Sequence, residues 1–315
     1  MKSSKKNKLI LAAVLIFNIV LLGMVVSYFN SSNSVPEEDI TLPLVKLEKG
    51  WKKVKTFDVG DKTAHAIATD ENGQMAIGGD NGVTLFDNTG KKLAAYDIKG
   101  GITALSIDGK TVYAALQRQI VVIKDGKIRK WPEFDSRTSI TSLVVDAGKL
   151  FIADAGNRKL LCFDLSGRTL WETTGGKDEK FIIPSPYFDL APDGYGGVWA
   201  VNPGRHRIEN YAGDGRFKAS WTSQPANVFS GCCNPAYFVM LDGDRFVTLE
   251  KGTVRARLFS PSGKMLETVV PESGFPPGPF RYDLAVMPGG KIAILNGAKG
   301  LVDVYEPNIK PEVKK

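Results

Sequence analysis

SLVVDAGKLFIADAGNRKLLCFDLSGRTLW, residues 142–171, holds four short hydrophobic runs, at 142–145, 149–152, 159–163 and 168–171. Each is of strand length, and each is bounded by Gly, Asp, Ser or Asn. The Gly-containing turns suit tight hairpins, so the stretch reads as four antiparallel strands. The same unit recurs upstream at 66–69, 74–77, 83–86 and 92–96. It recurs downstream at 238–241, 245–248, 256–259 and 264–267. Unit starts fall near residues 65, 103, 141, 188, 238 and 283, at spacings of 38, 38, 47, 50 and 45. That is the period of a four-stranded propeller blade. The sixth unit, 283–306, has only three strands, and residues 51–57 (WKKVKTF) have the character of its missing fourth. Their pairing closes the ring and removes two open sheet edges. The expected fold is an all-β, six-bladed β-propeller.

Residues 154–167 (DAGNRKLLCFDLSG) and 204–217 (GRHRIENYAGDGRF) resemble NHL repeats, with an Asn/His-Arg-Ile/Val step, an aromatic and a Gly turn. The resemblance implies an NHL/TolB-like propeller over residues 51–307. It says little about function, because such propellers serve binding, scaffolding and catalysis alike.

The chain has 315 residues and a formal net charge of +7. Lys2, Lys5, Lys6 and Lys8 supply four of those charges and the tail 308–315 two, leaving one for everything between. No nucleic-acid footprint follows from so even a balance. Residues 9–29 are a 21-residue run without charge, long enough to cross a bilayer. The lysines before it place the N-terminus in the cytoplasm. This predicts a basic cytoplasmic segment (1–8), a transmembrane signal anchor (9–29), a polar linker (30–50), the propeller (51–307) and a tail (308–315). The propeller would then lie outside the cytoplasm on a single-pass cell (inner) membrane protein, in the periplasm or extracellular space. A cleaved signal peptide, with a weak site at Ser32-Asn33-Ser34, is the competing reading.

In such a ring, the loops joining second to third strands and the loops between blades share one face. Three of the latter are long: 175–187, 222–237 and 271–282. The loop face carries Arg158, Arg205, His206, Arg207, Arg255 and Arg281, which suit a carboxylate, sulfate or phosphate. The bland alternative is that each Arg pairs with an acid of its own repeat. Cys232 and Cys233 precede the fifth inner strand. Outside the cytoplasm adjacent cysteines oxidise readily, so a vicinal disulfide is expected. A redox or ligand-contact role, a metal site and free thiols are the alternatives. Cys162, between Leu161 and Phe163, reads as a core residue.

Catalytic signals are poor. Two histidines, His65 and His206, cannot make a three-His zinc site. Gluconolactonase-like propellers resemble this architecture and hold a divalent metal on Glu, Asn and Asp; Glu250, Asn202, Asn296 and Asp154 are the matching residue types. No spacing singles them out, and no cofactor or metal is expected. The sequence thus points to a binding or scaffold module for an envelope protein or an anionic small molecule. An enzyme, hydrolytic or redox, is the alternative.

Overall fold

The computed structural model describes residues 47–176, 180–225, 228–231 and 233–309. Six four-stranded antiparallel sheets form the blades. Blade 1 is β2 (Ala66–Thr69), β3 (Met75–Gly79), β4 (Gly82–Phe86) and β5 (Lys92–Asp97). Blade 2 is β6 (Ala104–Asp108), β7 (Thr111–Leu116), β8 (Gln119–Lys124) and β9 (Lys127–Lys130). Blade 3 is β10 (Ile140–Asp146), β11 (Lys149–Asp154), β12 (Lys159–Asp164) and β13 (Thr169–Thr173). Blade 4 is β14 (Leu190–Pro192), β15 (Val198–Asn202), β16 (Arg207–Tyr211) and β17 (Phe217–Thr222). Blade 5 is β18 (Tyr237–Leu241), β19 (Arg245–Glu250), β20 (Arg255–Phe259) and β21 (Met265–Val270).

Blade 6 joins the two ends of the domain. β22 (Tyr282–Met287), β23 (Lys291–Asn296) and β24 (Leu301–Ile309) come from the end of the chain, and β1 (Leu47–Asp58) pairs with β24 from outside. The closing strand begins at Leu47 rather than Trp51. Glu267 of blade 5 explains the extension: it accepts from Gly50 N at 2.9 Å and Trp51 Nε1 at 2.8 Å, holding the early part of β1 in place.

Burial follows strand alternation. Each of six apolar clusters is built from facing sides of two neighbouring blades, so the core is six radial seams rather than one centre. Cys162 lies fully buried in the seam between blades 3 and 4, and burial pushes its thiol up to about 11. Turn glycines tighten the seams. Gly215 has a φ of +86°, and a Cβ there would stand 2.8 Å from the Trp171 ring of the preceding blade. Gly263 sits against Trp221 in the same way.

Among the described residues no helix is long and apolar enough to cross a membrane. The anchor expected at 9–29 lies outside them, as do most of the linker and the tail.

Candidate functional site

The six inner strands β2, β6, β10, β14, β18 and β22 line a central channel with a cavity of about 270 Å³. Their pairing with the second strands defines one equivalent position per blade. Ala66, Ala104, Ser142, Tyr237 and Asp283 each face the penultimate residue of their second strand. Asp189, just before β14, holds the same position in blade 4, its carbonyl accepting from Val201 N. The layer is therefore small on three blades and acidic or aromatic on the other three.

An inner strand is a sheet edge, and its channel-side N–H groups need acceptors. The layer supplies them from blade to blade. Ser142 Oγ accepts from Leu190 N at 3.1 Å, Asp189 from Phe238 N at 2.8 Å and Asp283 from Ile67 N at 2.9 Å. Burial nevertheless dominates both carboxyls. It lifts Asp189 to about 6 against its hydrogen bonds, and lifts Asp283 well above the carboxylate range, with the charge of Asp189 adding to the effect. Tyr237 stands at the layer position of the blade between them, its phenol raised by burial and by both aspartates.

Above this layer the three long loops meet. Tyr187 and Tyr237 end two of these loops and Phe280 lies within the third, all half-buried. Tyr187 packs edge-on against Tyr237 at 5.9 Å and Phe280 at 5.8 Å, and Tyr237 stacks on Phe280 at 6.2 Å. Lys251 Nζ lies 4.4 Å over the Tyr187 ring. Ring faces of this kind attract cations.

The arginines expected to form an anion pocket are dispersed. Arg207 donates through Nε and Nη2 to Glu209 at 2.9 and 2.7 Å, and Asn202 and Tyr211 also bind that fully buried carboxylate. Arg255 donates to Glu250 at 3.1 Å, beside the buried Arg257 on the same acid. These two arginines sit in repeat-internal pairs. Arg205 Nε donates to the Lys180 carbonyl at 3.2 Å and His206 Nε2 to the Gly231 carbonyl at 2.8 Å. Both thereby tie the β15–β16 loop to the long loops on either side. Arg158 and Arg281 are exposed, in blade 3 and before blade 6.

Asp154, Asn202, Glu250 and Asn296 end the second strands of successive blades. The first three bond within or beside their own loop, Asp154 for example accepting from Ser139 N and Asn157 Nδ2. Glu250 is taken up by Arg255 and Arg257, and among the described residues no three His, Cys, Asp or Glu side chains come together as a metal set. Cys233 is buried and accepts from Ser185 Oγ, joining two of the long loops. Cys232 lies outside the described residues, and with it the disulfide expectation.

Sequence reading placed the long loops on this face but missed Asp189, Tyr237 and Asp283. The available signal was that Tyr187, Tyr237 and Tyr282 each stand at or just before an inner strand.

No protein-family model matches the chain, and no curated protein does. Solved propellers are similar in fold. Virginiamycin B lyase from Staphylococcus aureus superposes with a TM-score of 0.57 at 14% identity, over 82% of this chain and 90% of that one. A gluconolactonase from Xanthomonas campestris gives 0.58 at 15%, over 80% and 88%. The WD40 propeller domain of Doa1 gives 0.55 at 13%, over 82% and 98%. At such identities the likeness concerns the fold alone.

Proposed function

We propose that the protein is a single-pass, membrane-tethered propeller of NHL type outside the cytoplasm, which holds a protein partner at the channel mouth beside blades 4–6. Residues 9–29 are the tether, with the N-terminus cytoplasmic. One observation carries the binding reading: three long loops bring Tyr187, Tyr237 and Phe280 together over Asp189 and Asp283. Two buried carboxyls with raised proton affinity cost folding stability at neutral pH, and groups held at such a cost mark functional sites. Aromatic rings offer contact area with little side-chain entropy to lose. Lys251 already covers the Tyr187 ring, so the cation-favouring group is Asp189, whose carboxyl ionises above about pH 6, and the partner presents a Lys or Arg side chain to it. An anionic ligand on Arg158, Arg205, His206, Arg207, Arg255 and Arg281 is the weaker form of this reading, because Arg207 and Arg255 already donate to Glu209 and Glu250.

The test uses the full-length chain in its own membrane with a photo-crosslinking phenylalanine derivative at position 187. A discrete adduct is expected, absent when the derivative sits at Thr89 on the opposite face, and lost in the double variant Asp189→Asn, Asp283→Asn. No adduct, or one indifferent to those carboxyls, sinks the reading.

The raised carboxyls also support a second reading. A carboxyl lifted to about 6 can give or take a proton near neutrality, and the lyase and lactonase are propellers of similar fold. Turnover of a lactone panel, with and without Ca²⁺, that disappears in Asp189→Asn would favour an enzyme.

A further inference from the structure

We propose that the outer strands of blades 6, 1 and 2 form a docking edge for anionic lipid headgroups, holding the propeller against the bilayer that anchors it. This rests on the tether in the reading above. Outer strands are β1, β5, β9, β13, β17 and β21. Lys55 of β1, Lys91 and Lys92 at β5, and Lys127, Arg129 and Lys130 of β9 are all exposed, and none has an ion-pair partner among the described residues. Exposed aliphatics sit between them: Val54, Leu93 and Ile128 are 41, 50 and 43% accessible. Long basic side chains beside aliphatic ones suit an interface where stems meet acyl chains and charges meet phosphates.

Lysines on outer strands also discourage edge-to-edge pairing. The other three blades meet that need without a basic excess. Around β13 and β17, Arg168 pairs with Asp164 at 3.0 Å and Arg216 with Asp214 at 2.7 Å. On β21, Glu267 binds Gly50 and Trp51. The surplus is thus confined to three consecutive blades.

The chain itself points to the occupant. Leu47 pairs with Ile309 at the end of blade 6 remote from the loop face, so the polypeptide enters β1 there. Seventeen residues separate position 29 from Leu47, a reach of about 60 Å at most. Lys55 Nζ donates to the Asn88 carbonyl of blade 1, so the entry strand is continuous with the basic edge. The tether is long enough for a bilayer holding residues 9–29 to reach this edge.

The experiment compares hydrogen–deuterium exchange of the full chain in nanodiscs of phosphatidylcholine with and without phosphatidylglycerol. Resistance to carbonate extraction first reads the tether separately. Peptides covering β5 and β9 should exchange about threefold or more slowly in the anionic discs, and lose that protection in about 0.5 M salt, where the Debye length shrinks to about 4 Å. Peptides of β13 and β21 should not change. The double variant Lys92→Glu, Lys127→Glu, with an unchanged melting temperature, should lose the protection. Equal exchange in both discs, or slowing of all outer strands alike, overturns the proposal. So does equal protection by soluble polyglutamate, which would assign the edge to an acidic protein. If carbonate releases the chain, the tether fails alone, and the same comparison on anionic vesicles decides the docking edge.

Discussion

Where blades 1, 2 and 3 place Ala66, Ala104 and Ser142 in the channel layer, blades 4, 5 and 6 place Asp189, Tyr237 and Asp283. The loops follow the same division, short before blades 1–3 and long before blades 4–6. The seams do not: all six join facing apolar sides of two neighbouring blades, although the buried residues between blades 1 and 2 are aliphatic and those between blades 4 and 5 mostly aromatic. The seams maintain the ring, so they repeat. The channel layer and the mouth are released from that duty on one side, and the chemistry gathers there.

The hardest break is to the ring itself. Deleting residues 47–57 removes β1 and leaves both β24 and the neighbouring seam open. The melting temperature by circular dichroism should fall by more than about 10 °C, since several kcal/mol of burial are lost; a small change would mean that the halves stand without closure. Next comes Glu250→Ala, which strands the buried Arg257 and the half-buried Arg255. An uncompensated buried charge costs about 3–5 kcal/mol, readable in urea unfolding. A similar loss from Glu172→Ala on the exposed β13 would erase the contrast between paired core acids and surface ones.

Asp189→Asn has the opposite sign. The folded carboxyl at about 6 lies above its unfolded value of 3.8, so the folded state binds more protons between them. Its unfavourable contribution is absent below pH 4 and complete above about pH 6. The variant should therefore gain about 3 kcal/mol at pH 7.5 and little at pH 4. A gain independent of pH would show that burial of charge is not the cause. Ser142→Ala, which removes a hydrogen bond that favours the ionised Asp189, should instead destabilise more at pH 7.5 than at pH 4. The smallest effect on stability is expected from Tyr187→Ala, below about 1 kcal/mol because the ring is half-buried. Crosslinking of a partner from a probe at Phe280 should nevertheless disappear in that variant.

The period of the runs, the Gly turns and the need to close the ring were enough to read six blades and their order from sequence. The start of β1 was not, because residues 47–50 lack alternation and are held by Glu267 of another blade. The arginines were visible, but the duties of Arg207 and Arg255 were set by buried acids. Glu209, two residues from Arg207 on one strand, lies on the same side of the pleat, a signal that could have been used. Asp189, Tyr237 and Asp283 are separated by about 50 residues each and meet only because inner strands converge on an axis. No local pattern encodes that meeting.

The pairing of β1 with β24 also has a meaning in time. The first strand of the propeller is hydrogen-bonded to its last, so the closed ring exists only once the chain has been produced through β24. Long-range pairings form late because loop closure must come first. A chain cut short anywhere before β24 leaves β1 without a partner, and the molecule thereby registers its own completion.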